Sequence, residues 1–86
     1  MENDLETITN IAGQYIIDYL REKRECTQKE LMNSVLHKIK MHTKRDYFLA
    51  FTLAYKKLES HGLIQIKRPK GVPFPMTDAE TIFKVR

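Results

Sequence analysis

The chain has 86 residues and 10.2 kDa, 42 % of them hydrophobic and 30 % charged, which excludes a disordered polypeptide and predicts one small folded domain. A single cysteine excludes an internal disulfide framework, and the longest uncharged stretch, residues 7–17, is too short to span a bilayer. The formal charge of +4 combines −3 over residues 1–25 with +7 over residues 26–86, so either one face meets a polyanion such as nucleic acid or the surface is a solvated, lysine-rich one.

The first predicted element is an amphipathic helix over about residues 4–25, with Asn3 as a candidate N-cap. Its inner stripe recurs at three- and four-residue steps and comprises Leu5, Ile8, Ile11, Ala12, Tyr15, Ile16, Tyr19 and Leu20. Ile17 lies off this stripe and, with Gly13 and Leu20, widens the apolar arc beyond what one small core needs. We therefore predict a homodimer contact through Gly13, Ile17 and Leu20. The alternative is a helix that the strands of the same chain cover more fully.

The second predicted helix covers about residues 28–40 and begins behind a capping-box pair, Thr27 and Glu30. Its inner face comprises Leu31, Met32, Val35, Leu36 and Ile39. Cys26 precedes the cap, and two interpretations stay open for it. It is either a small semi-buried residue or, at the start of a helix, an oxidisable thiol with a lowered pKa.

The third predicted helix covers about residues 44–61, with Thr43 as its N-cap and Asp46 in its first turn. Its inner face comprises Tyr47, Phe48, Phe51, Ala54, Tyr55 and Leu58. Gly62 is placed to end the helix in the left-handed conformation that glycine adopts without strain.

Beyond Gly62 the apolar pattern changes from helical to alternating. This pattern predicts a hairpin over about residues 63–86, with antiparallel strands at residues 63–67 and 81–85. Phe83 and Val85 are expected to face the core. The intervening residues 68–80 hold all three prolines and therefore predict a long loop. The expected architecture is α+β: one domain over residues 1–86, in which three helices are followed by a two-stranded antiparallel hairpin.

Three helices followed by a basic hairpin resemble a winged helix-turn-helix domain. The local match is best over the run Lys56-Lys57-Leu58-Glu59-Ser60-His61-Gly62-Leu63-Ile64. This run looks like the stretch that closes the recognition helix and opens the first wing strand in many bacterial and archaeal winged-helix regulators. The resemblance implies a positioning helix over residues 27–39, a recognition helix over residues 43–61 and a wing around residues 67–81.

Two features depart from the family pattern. The apparent wing is longer and richer in proline than the tight wings common in the family, and the chain stops at Arg86 without the extra C-terminal helix that many dimeric relatives use. A dimer is therefore expected to use another surface. A stand-alone domain this short resembles regulators encoded by viruses, plasmids or archaea.

The outer face of the third helix and the basic hairpin are the candidate contacts with double-stranded DNA. Arg45 is expected to reach a guanine, Leu49 or Leu53 a thymine methyl group, and the lysines the phosphates. The complete candidate set is Thr43, Lys44, Arg45, Leu49, Thr52, Leu53, Lys56, Lys67, Arg68 and Lys70. The alternative interpretations are a solvated helix face and a charged loop that protects an exposed strand edge.

Motifs for chemistry are lacking: the sequence has no glycine-rich phosphate loop, no nucleophile elbow and no paired carboxylates in an apolar setting. His37 and His42 are five residues apart without a Cys-x-x-Cys pair, which is too few ligands for a structural zinc site. The acidic N-terminal residues have no apolar run behind them, so no secretory signal is expected. We expect no catalytic residue, metal, cofactor, small-molecule substrate or membrane contact, and a cytoplasmic location.

The predicted function is sequence-selective binding of double-stranded DNA by a small transcriptional regulator that acts as a homodimer. One alternative is a winged-helix module that binds a protein partner, within a larger complex, through Leu49 and Leu53 or through Phe74. A second alternative is binding of single strands or RNA by stacking on aromatic rings. It is weakened because Tyr47 and Phe51 fall on the predicted inner stripe.

Overall fold

The computed structural model describes residues 4–68 and 81–86, which form three helices and a three-stranded antiparallel sheet. In chain order the elements are α1 (Leu5–Lys23), β1 (Glu25–Thr27), α2 (Gln28–Ile39), α3 (Tyr47–Ser60), β2 (Ile64–Lys67) and β3 (Ile82–Val85). The α+β class is confirmed. Lys70, Phe74 and most of the predicted wing loop lie outside the described residues.

Helix α1 begins at an aspartate cap, so the N-cap is Asp4 rather than Asn3. The Asp4 carboxylate accepts a hydrogen bond from the backbone N–H of Thr7 at 2.8 Å, and this bond holds the pKa of the carboxyl below its usual value. The helix ends two residues earlier than predicted because Arg24 turns to a φ of 72° and donates its N–H to the Leu20 carbonyl at 2.7 Å.

Helix α2 begins with the predicted capping pair. The Thr27 hydroxyl accepts from the backbone N–H of Glu30 at 3.2 Å and donates to the Glu30 carboxylate at 3.2 Å. The residues just before it form β1, a strand that the sequence pattern did not predict. Strand β1 pairs antiparallel with β3, with Cys26 opposite Phe83. The sheet therefore has the order β1-β3-β2, with the last strand of the chain at its centre.

Helix α3 begins at Tyr47, three residues later than predicted. The Thr43 hydroxyl donates to the carbonyl of Arg45 at 2.9 Å and accepts from its N–H at 3.2 Å, which closes a local turn in place of a helix cap. Asp46 then adopts a left-handed φ of 58°, and its carbonyl accepts the first helical bond, from Ala50. Lys44 and Arg45 therefore precede α3, whereas the end of the helix at Gly62, with φ 74°, is as predicted.

The core lies between the helices and the sheet, and its largest fully buried side chains are Phe51 and Phe83. The Tyr55 ring contacts both edge to face, at centroid distances of 5.5 and 5.3 Å. The alternation predicted for the strands is confirmed. Ile64 and Phe83 are buried, the next residue of each strand is exposed, and Ile66 and Val85 are partly buried.

One inner-face assignment in α3 is wrong: Phe48 is 54 % exposed. The face of α3 that packs against α1 is centred near Ala54 and Leu58. Phe48 lies within about 20° of Tyr55 around the helix but two turns nearer its start, and it is Tyr55 that contacts the core rings of Phe51 and Phe83.

Candidate nucleic-acid interface

Two exposed cations, Lys44 and Arg45, lie in the turn that leads into α3. The turn closed by the Thr43 hydroxyl fixes the backbone from which both side chains project. Thr43 itself is 8 % exposed, so it shapes this turn and does not offer its hydroxyl to a partner, contrary to the predicted contact. The adjoining helix N-terminus adds a partial positive charge, which the exposed Asp46 carboxylate at the N-cap offsets in part.

The outward face of α3 is apolar over its first two turns and cationic further on. Leu49 is 46 % and Leu53 39 % exposed, and Phe48, which periodicity had assigned to the core, joins them. The hydroxyl of half-buried Thr52 donates to the Phe48 carbonyl at 3.1 Å, so it offers an incoming group only its lone pairs. Lys56, as predicted for this face, is exposed.

The end of β2 is joined to the last turns of α3 by a two-pronged ion pair. The Arg68 guanidinium donates to the two carboxylate oxygens of Glu59 at 3.1 and 3.3 Å, and these bonds raise the pKa of Arg68. Glu59 therefore offsets the charge of a predicted phosphate contact, while neighbouring Lys67 is exposed. No local sequence pattern could predict this ion pair, because it depends on how β2 lies against α3.

The predicted dimer residues separate into two kinds. Leu20 is fully buried in the core of its own chain, so its assignment to a dimer interface is wrong. Gly13 and Ile17 instead line a groove of about 580 Å³ that also borders Leu58 and Val85. The apolar arc of α1 is thus wide because one edge faces the core and the other faces this groove.

Cys26 is a buried residue of the core, with 6 % of its surface exposed. Burial raises the pKa of its thiol to about 11, and the negative charge of Glu30 acts in the same direction. The thiol is therefore protonated at neutral pH, and the interpretation as an oxidisable thiol with a lowered pKa is wrong.

Within residues 4–68 and 81–86, no three His, Cys, Asp or Glu side chains come together in a way that could hold a metal ion. No helix in this part of the chain combines the length and the apolar character that a membrane crossing needs. Comparisons with protein-family models, curated proteins and solved structures find no match for the chain.

Proposed function

We propose that the chain is a small cytoplasmic transcriptional regulator that binds double-stranded DNA sequence-selectively through a winged helix-turn-helix fold. The element order and the sheet order β1-β3-β2 are compatible with that fold. The observation that supports the proposal best is that exposed cations flank α3 at both ends. Lys44 and Arg45 precede its first turn, and Lys56 lies in its third turn on the outward face.

The dimensions of α3 suit a major groove. Its 14 residues span about 20 Å, whereas the groove is about 12 Å wide, so a helix lying in it brings both of its ends close to phosphates. In this arrangement Lys44, Lys56 and Lys67 neutralise phosphates, and Arg45 reads a guanine edge. The exposed Leu49 and Leu53 side chains contact thymine methyl groups, and the hairpin lies on the backbone or in the minor groove.

The proposal is tested by selecting bound duplexes from a random pool and titrating the preferred one with salt. With four phosphate contacts per chain, from Lys44, Lys56, Lys67 and Lys70, log K should fall against log salt with a slope of about −4 per chain. Lys67→Ala should make the slope shallower by about one unit. Lys23→Ala, an exposed cation outside the proposed interface, should leave it unchanged. Binding no tighter than that of a lysine-rich peptide, or stronger competition by single strands, would contradict the proposal.

A second candidate function is supported by the apolar strip on α3, defined as Phe48, Leu49 and Leu53. These three exposed side chains occupy adjacent turns of one helix, as in a surface that binds a protein partner. The two functions differ in their response to Leu49→Lys. If α3 faces DNA, the added cation should strengthen binding to non-preferred duplexes, and the lost thymine contact should relax the sequence preference. If the strip faces a protein, the variant should leave duplex binding unchanged.

Releasing Arg68 from its carboxylate partner is expected to strengthen DNA binding. Glu59→Gln removes one negative charge from the proposed interface and leaves the Arg68 guanidinium available to a phosphate. We expect the affinity for any duplex to rise about two- to tenfold at low salt, with a salt slope about one unit steeper.

Glu22→Gln is the matched control, because Glu22 is an exposed carboxylate on α1, outside the proposed interface. A weaker affinity for Glu59→Gln with no change for Glu22→Gln would mean that Glu59 positions Arg68 for DNA instead of competing with it.

A further inference from the structure

The groove lined by Gly13 and Ile17 runs along α1, with the last turns of α3 and the end of the sheet as its other wall. Its floor is apolar and includes Leu58, Val85 and Leu63, the last of which is 52 % exposed. Three cationic side chains also line it (Arg21, Lys57 and Arg86), but no Asp or Glu side chain does, among the residues that the structure describes. The groove therefore suits an elongated apolar occupant that carries negative charge.

Two of these cations, Arg21 and Arg86, lie at the same end of the groove. Strand β3 lies beside the C-terminal end of α1, where the N–H of Val85 donates to the Arg24 carbonyl at 3.4 Å. The next residue, Arg86, donates its N–H to the Leu63 carbonyl at 3.2 Å, and Leu63 follows directly on the end of α3. Arg21, in the last turns of α1, therefore shares this end with Arg86, while the opposite end is lined by the uncharged Thr9.

The face of α1 that contains Gly13 and Ile17 carries an acidic residue as well as a basic one. At about 100° per residue, Glu6, Gly13, Ile17 and Arg21 fall within about 80° of arc. This face therefore changes from acidic in its first turn to basic in its last, over about 22 Å. Two such faces attract each other when the helices are antiparallel and repel each other at both ends when they are parallel.

We propose that the groove takes α1 of a second copy of this chain, antiparallel, in a twofold dimer. Arg21 then faces Glu6 of the partner subunit, and by symmetry the same contact forms twice. The register that opposes these two residues places Gly13 next to the twofold axis. A Cβ built on Gly13 meets nothing within 4 Å, so the groove is open where the two helices come closest. This inference does not rest on DNA binding.

The mass of the purified chain in solution is the first test. Light scattering across micromolar to millimolar concentration should approach twice 10.2 kDa, and a constant single-chain mass would overturn the proposal. Gly13→Leu should give a folded single chain, because the new side chain fills the groove without meeting atoms of its own subunit. Its thermal midpoint at low concentration should not fall, since leucine favours a helix more than glycine does. A folded dimer of this variant would also overturn the proposal.

A charge exchange tests the register. Glu6→Arg and Arg21→Glu should each weaken dimerisation about tenfold or more, because each creates two like-charge contacts per dimer. The double variant should recover the dimer, and Glu22→Arg, on another face of α1, should not change it. If the double variant stays as weak as the single ones, Arg21 does not meet Glu6 of the partner subunit, and the antiparallel register is wrong.

Discussion

Replacing Phe83 with alanine is expected to lower the free energy of unfolding by about 3–5 kcal/mol. Phe83 is fully buried in the central strand, lies opposite Cys26 of β1 and Ile66 of β2, and packs its ring edge-on against Tyr55 of α3. Its removal leaves a cavity at the point where the sheet meets the helices. Since the whole stability of a domain is about 5–15 kcal/mol, the loss is a large fraction of it.

Urea unfolding, monitored by circular dichroism, measures this effect as a lower urea concentration at the midpoint. Lys84→Ala is the matched control, because Lys84 neighbours Phe83 on β3 but is exposed, and it should change the free energy by less than about 0.5 kcal/mol. Equal shifts for the two variants would mean that β3 does not hold the centre of the core.

Replacing Arg45 with alanine is expected to lower the affinity for the preferred duplex by about 1–3 kcal/mol and to relax its sequence preference. Arg45 is exposed in the turn that leads into α3. In helix-turn-helix complexes, residues near the N-terminus of the recognition helix contact the base edges. A guanidinium at this position can donate two hydrogen bonds to a guanine, and alanine can donate none.

Selection from a random duplex pool, repeated with the variant, measures the loss of preference. Lys44→Ala is the neighbouring control, because a lost phosphate contact should weaken all duplexes alike and make the salt slope shallower by about one unit. An unchanged selected sequence for Arg45→Ala would mean that the turn before α3 does not read bases.

The features that were predicted correctly from the sequence depend on near neighbours in the chain. Thr27 and Glu30 bond to each other within one helical turn, and Gly62 adopts a left-handed conformation that glycine tolerates without strain. Strand β1 was missed because it has three residues, only one of them apolar, and its partner lies far along the chain. The start of α3 was misplaced because the Thr43 hydroxyl bonds the backbone of Arg45 instead of capping the helix, and Asp46 then adopts a left-handed conformation.

In the candidate sites, too, the features predicted correctly are those that depend on residues close together in the chain. Exposure of Leu49, Leu53 and Lys56 follows from helical periodicity. The ion pair between Arg68 and Glu59 joins a strand to a helix, so periodicity cannot reveal it. The burial of Leu20 likewise depends on what packs against α1, because a periodic pattern marks the apolar side of a helix but not where the core ends.

The central position of β3 affects how the chain assembles. Strands β1 and β2 gain a hydrogen-bonded neighbour only when β3 arrives, and the pairing of Cys26 with Phe83 bridges 57 positions. Such closure is entropically more expensive than the association of α1, α2 and α3, which follow one another closely along the chain. We therefore expect the pairing of β3 with β1 and β2 to form late in folding, after contacts among the helices.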